Sequence, residues 1–153
     1  MDLSDLYQEI ILDHSRHPRH HGACAGETHG ACAENPTCGD EVAVHLRVSP
    51  EGRVEEATFT GQGCALSQAS ASLLTTKVRG RPAAEVLATA AQVQRLFTGE
   101  PLPPAEVEAL GDLQALQGAA QFPQRVKCVT LAWHALAEAL GRAAAPGGGP
   151  EAT

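Results

Sequence analysis

Aromatic residues are scarce in this chain: one Trp, one Tyr and three Phe among 153 residues. The core must therefore be built from Ala, Val and Leu, which bury less area per side chain. A core of that kind is a candidate to draw part of its stability from a bound metal. Basic residues are also few. Eleven Lys and Arg against eighteen Asp and Glu leave a net charge of −7 with His neutral. That argues against nucleic acid as a partner, because phosphate binding needs a basic surface. No stretch approaches the roughly 18 consecutive apolar residues of a membrane span. The first helix-like segment carries Asp2, Asp5 and Glu9, whereas a signal peptide opens basic and then turns apolar. The protein is read as cytoplasmic, with no membrane partner.

Paired C-x-x-C motifs are absent as well, which excludes a zinc ribbon. What the chain does have is five separated cysteines: Cys24, Cys32, Cys38, Cys64 and Cys128. An odd count in a chain read as cytoplasmic points to metal binding or catalysis rather than a disulfide framework. Apolar residues at 43% and charged residues at 19% give a globular balance. The length suits a single domain, read here as residues 1–142. Residues 143–153 are a Gly/Pro/Ala tail expected to be disordered.

Hydrophobic spacing orders the elements. Leu3, Leu6, Tyr7, Ile10 and Ile11 predict a helix over 2–14, capped by Asp2 or Ser4. His14 to Gly22, containing Pro18, reads as a loop. Residues 23–41 read as loop with a short strand near 29–33. Val42, Val44, Leu46 and Val48 alternate with Ala43, His45 and Arg47, a half-buried strand. Ser49-Pro50-Glu51-Gly52 fits a type I turn, and 53–60 returns as a second strand with Ala57 and Phe59 inward. Helices are expected over 65–78, with Leu66, Ala69 and Leu73 as the apolar stripe, and over 83–97. Two short helical pieces would carry Val107, Leu110, Leu113 and Leu116. A last helix opens near Pro123, its stripe Val126, Val129, Trp133, Leu136 and Leu140. The fold class is α+β: a small antiparallel sheet with helices packed on one side.

Cys38, Cys64 and Cys128 share a local character. Cys38 lies in Asn35-Pro36-Thr37-Cys38-Gly39-Asp40, turn chemistry that puts Cys38 and Asp40 on a tight exposed loop. Cys64 follows Gly61-Gln62-Gly63 and precedes a helix. Cys128 sits in the first turns of the last helix. The helix dipole at such positions favours thiolate. Gly39, Gly61 and Gly63 would let backbone crowd around a metal. A free cysteine taken singly is as readily a small buried hydrophobe; three in these contexts form a set.

These residues carry a resemblance. Asn35 to Asp40, Gly61-Gln62-Gly63-Cys64-Ala65-Leu66-Ser67-Gln68-Ala69-Ser70 and Arg125-Val126-Lys127-Cys128-Val129-Thr130-Leu131-Ala132-Trp133 look like the three cysteine motifs of the IscU/NifU N-terminal scaffold family. Leu6 to His14, with Pro18-Arg19, matches that family's first helix. Within it the chain resembles the SufU branch. The Cys64–Cys128 interval is long and contains Gly111 to Gly118, similar to the SufU insertion. Lys127 also stands where the cluster-scaffold branch has His.

The resemblance implies a zinc site of Cys38, Asp40, Cys64 and Cys128. Three thiolates and one carboxylate leave two excess negative charges around a divalent ion, and Arg125 and Lys127 are the adjacent cations. Asp40 is the hard, weak ligand that makes the site switchable. The implied function is that of a zinc-dependent sulfur acceptor in iron–sulfur cluster assembly. In it Cys38 leaves the metal and takes sulfur from the persulfide of a SufS-like cysteine desulfurase. As an enzyme it would at most be a sulfurtransferase acting with that partner, delivering to downstream scaffolds or apo-acceptors. Two alternatives stand beside it. One is a scaffold assembling a [2Fe–2S] cluster on Cys38, Cys64 and Cys128, which Lys127 disfavours. The other is a structural zinc module, which a labile Asp40 disfavours. Cys24 and Cys32 lie outside the motifs and read as spare thiols. His14, His17, His20 and His21 read as solvated loop residues facing a partner, with metal binding as the lesser reading. His134 reads as structural and Trp133 as core.

Overall fold

The computed structural model describes residues 3–35, 39–98, 102–121 and 123–144. The elements run α1 (Leu3–Arg16), β1 (His29–Asn35), β2 (Asp40–Val48), β3 (Val54–Gln62), α2 (Ala65–Val78), α3 (Ala83–Thr98), α4 (Pro104–Ala109), a 3₁₀ helix (Gly111–Gln121) and α5 (Pro123–Ala144). The sheet is antiparallel in the order β1-β2-β3. Asn35 pairs with Asp40 at one hairpin, and Glu41 with Gln62 on the other side of β2. α5 crosses β1 and β2, α2 packs on β3, α1 packs on α2 and α3 on α5. This is the expected α+β arrangement.

Period two dictates the inner sheet face. Val42, Val44 and Leu46 are fully buried there with Ala57 and Phe59. The alternation extends back to Asp40, which is the first residue of β2 and only 4% exposed. The sequence placed Asp40 on an exposed loop. It instead heads the buried stripe 40, 42, 44, 46, so its carboxylate points into the fold. β1 likewise runs two residues beyond the expected strand, to Asn35, because the 35–40 pair closes the hairpin. In the other hairpin, Gly52 N–H donates to Ser49 O at 2.8 Å, and Gly52 has φ +87°. That left-handed position is the one the turn reserves for Gly.

α2 differs from the amphipathic helix its spacing suggests. Ala69, Leu73, Leu74 and Val78 are buried, but so are Ser67, Ser70, Ser72 and Thr75, while Leu66 is only half-buried. α2 is the central helix, with neighbours on most sides, and its small polar residues let them approach. Their hydroxyls are satisfied: Ser72 Oγ meets His14 Nδ1 at 2.7 Å and accepts Arg19 N–H at 2.8 Å, and Thr75 donates to Ser72 O at 2.8 Å. α1 continues to Arg16, two residues past the expected end, and His14 is buried rather than solvated. His20 is half-buried and hydrogen-bonded to Thr75, and His21 packs edge-on against Phe59. His17 is exposed.

After α4, Leu110, Leu113 and Leu116 are buried and spaced by three. That is the repeat of a 3₁₀ helix, whose i and i+3 side chains eclipse. Val129, Trp133, Leu136 and Leu140 form the buried face of α5, and His134 is exposed. α5 runs to Ala144, so Ala143 and Ala144, expected in the tail, continue the helix; Cys38, the side chains of Leu3, Leu6 and Tyr7, and residues 145–153 lie outside what is described.

Candidate metal centre

Three separate elements deliver three candidate ligands of two types, one carboxylate and two thiols, to one place. Asp40 arrives at the start of β2, Cys64 at the N-cap of α2 and Cys128 in the second turn of α5. One ligand atom of each lies within 4.8 Å of the others. Among the described residues this is the group of His, Cys, Asp or Glu that could close on a metal ion.

The local backbone explains the convergence. β3 ends at Gln62, and Gly61 has φ +120°. A side chain there would run into the Glu41 carbonyl. At Gly63 a Cβ would lie 2.8 Å from Asp40 Oδ1 and would also strike the Ser67 hydroxyl. Gly63 thus does what the sequence suggested and lets backbone approach a ligand. Gly39 serves differently: its φ of +78° suits the turn, and space around it is open. With that clearance, Cys64 N–H donates to Asp40 Oδ1 at 3.1 Å, and Cys64 Sγ approaches Asp40 Oδ2 at 3.8 Å. Cys64 also caps α2. Its Sγ accepts Ser67 N–H at 3.4 Å, while Ser67 Oγ donates to Cys64 O at 3.0 Å.

Cys128 departs from expectation in its titration. Burial, followed by hydrogen bonding to Asp40 and Cys64, pushes its thiol far above the ordinary value of 9.0. The helix dipole acts over the first turn, and Cys128 lies a turn deeper at 5% exposure. A thiol raised in this way releases a proton when it binds a metal. The donor set suits zinc, which takes sulfur and oxygen ligands tetrahedrally. Soft sulfurs with one carboxylate also accommodate other thiophilic ions.

The remaining candidates are placed as follows. Arg125 and Lys127 are exposed on α5, flanking Cys128, and among the described residues neither forms an ion pair. Cys24 is buried, and its thiol is pushed up chiefly by burial. Cys32 is exposed on β1, its Sγ 3.7 Å from Glu41 Oε2, with burial and then Glu41 raising its thiol. Neither joins the group. Ser67 was missed as a site residue. Its position three after the N-cap was the available signal.

The chain matches the NifU-like N terminal domain over residues 6–140. It belongs to that family. Family members similar to it include the iron-sulfur cluster assembly scaffold protein IscU of Streptococcus pyogenes serotype M1, 42% identical over 93% of this chain and 87% of the relative. Another is the zinc-dependent sulfurtransferase SufU of Bacillus subtilis (strain 168), 35% identical over 92% of this chain and 93% of the relative. Among solved structures, a putative iron-sulfur cluster assembly scaffold protein for the SUF system from Fervidobacterium islandicum AW-1 superposes with TM-score 0.80 at 27% identity. That alignment covers 91% of this chain and 99% of the other. No helix among the described residues is long and apolar enough to cross a membrane.

Proposed function

We propose that this family member acts in iron–sulfur cluster assembly as a zinc-dependent sulfur acceptor, with Cys38, Asp40, Cys64 and Cys128 as the ligand set. The observation that carries the reading is the buried Asp40 carboxylate beside two cysteine sulfurs, all within 4.8 Å. A mixed oxygen and sulfur set of this kind is a site with one ligand weaker than the rest. Zinc, when bound, supplies the positive charge that keeps the thiols deprotonated.

The sulfur-transfer step balances without further reagents. The Cys38 thiolate attacks the terminal sulfur of a cysteine desulfurase persulfide. A new S–S bond forms on Cys38, the S–S bond on the desulfurase breaks, and the electron pair leaves on the desulfurase thiolate. Asp40, Cys64 and Cys128 are the residues that would hold zinc while Cys38 reacts. Arg125 and Lys127 offset the excess negative charge. The downstream acceptor is a cluster scaffold or an apo-protein.

A second reading, assembly of a [2Fe–2S] cluster on the three cysteines, is favoured by the 42% identity to a protein named a scaffold. Anaerobic incubation with iron and sulfide separates the two. A stable visible chromophore that moves to an apo-acceptor supports the scaffold. A colourless zinc protein that raises desulfurase turnover supports the acceptor.

A further inference from the structure

Ser70 lies in α2, six residues after Cys64, and is fully buried. Its Oγ donates to Val129 O at 2.6 Å and accepts Trp133 Nε1–H at 3.2 Å. Val129 directly follows Cys128, and Trp133 is also fully buried. One hydroxyl therefore joins the helix headed by Cys64 to the turn of α5 that bears Cys128. In an α-helix the carbonyl of residue 129 ordinarily serves the N–H of residue 133, so the Ser70 bond is additional to helix formation. An apolar contact would hold two helices equally well. A directional bond between buried partners instead fixes where along α5 the contact falls.

We propose that Ser70 is a positioning residue for the metal centre: its hydroxyl pins α5 to α2 at Val129 and thereby sets the separation of the Cys64 and Cys128 sulfurs. The inference rests on reading those two cysteines as ligands. Groups that orient metal ligands typically change affinity by about 10–100-fold when removed.

The test uses the full chain, cobalt(II) as spectroscopic probe and zinc competition against a chromogenic chelator. Wild type should give a thiolate-to-cobalt band and strong tetrahedral d–d absorption. Ser70→Ala should bind zinc at least about tenfold more weakly and show shifted, weaker d–d absorption. Thr75→Val is the control for stability alone. Thr75 is equally buried in α2, but its bonds run to Ser72 O within α2 and to Arg19 O and His20 Nδ1 in the segment after α1. It should lower the melting temperature and keep the wild-type spectrum and affinity. A Ser70→Ala protein with wild-type spectrum and affinity would overturn the proposal, as would Thr75→Val losing both to the same degree. Should Ser70→Ala not fold, the wild type still decides. The indole N–H resonance of Trp133, the single tryptophan, should shift on zinc addition, and an unmoved resonance contradicts the clamp. A wild type lacking the thiolate-to-cobalt band would instead sink the ligand reading itself.

Discussion

The backbone N–H of Cys64 donates to Asp40 Oδ1 at 3.1 Å. The carboxylate is thus held at the head of α2 by the protein, independently of any ion, and Oδ2 remains near the Cys64 sulfur. Asp40→Ala leaves a partly buried N–H without its acceptor. The expected loss is about 1–3 kcal/mol of stability together with weaker zinc binding. Asp40→Asn keeps an acceptor for that N–H and loses the charge, so it should retain most of the stability while zinc binding still weakens. Thermal denaturation of metal-free protein and chelator competition measure the two losses separately.

Gly63 should tolerate no side chain. In Gly63→Ala the new Cβ meets Asp40 Oδ1 at 2.8 Å and the Ser67 hydroxyl, a crowding expected to cost on the order of 1–3 kcal/mol and to displace Asp40. Gly141→Ala makes the contrast. That exposed position in α5 has open space, and replacing a helical Gly should stabilise by up to about 1 kcal/mol. Denaturant midpoints of the two variants should move in opposite directions.

Acidification should destabilise the fold through histidine. Burial is the main cause lowering His14, His20 and His29 from their ordinary 6.5. Below that value the unfolded chain takes up protons first, so stability falls with pH until the folded histidines also titrate; above it they contribute nothing. Chemical denaturation between about pH 7 and 5 should show this slope. His14→Asn should flatten it, because His14 is buried against Ser72 at 2.7 Å.

Cys24 and Cys32 should be dispensable for the metal. Both thiols are pushed up chiefly by burial and lie outside the converging group. Cys32→Ser should leave zinc content and sulfur acceptance unchanged, with little effect on stability at an exposed position. Cys24→Ser should keep zinc content while losing about 1 kcal/mol or more, the cost of a hydroxyl at a buried apolar position. Metal analysis and thermal melts check both.

Much of this fold was legible. The period-two pattern of Val42 to Val48 and the 3-4 spacing of Val126 to Leu140 identify their elements, because one face of each is buried and the other wet. The spacing in α2 suggests an amphipathic helix, but its neighbours surround it, a tertiary circumstance that its Ser and Ala residues accommodate. The turn residues before Asp40 point to a loop, whereas the inner-face alternation running back from Val42 is the better guide. Leu110, Leu113 and Leu116 held the 3₁₀ repeat in plain view. The histidine segment looked solvated since nothing local shows that Ser72 and Thr75, more than fifty residues on, supply its partners. Within the candidate centre, the motifs around Cys64 and Cys128 mark the two cysteines that converge with Asp40. The raised Cys128 thiol comes from burial that only the packed α5 creates.

Sulfur acceptance by Cys38 is the step on which the proposed function turns. The direct measurement is mass analysis of the zinc-loaded chain after incubation with a cysteine desulfurase and cysteine, comparing wild type with Cys38→Ala. The wild type should show one added sulfur on the Cys38 peptide and accelerate desulfurase turnover, with both absent in a folded Cys38→Ala protein. Undiminished stimulation by Cys38→Ala, or sulfur found on Cys64 or Cys128 in place of Cys38, would contradict it.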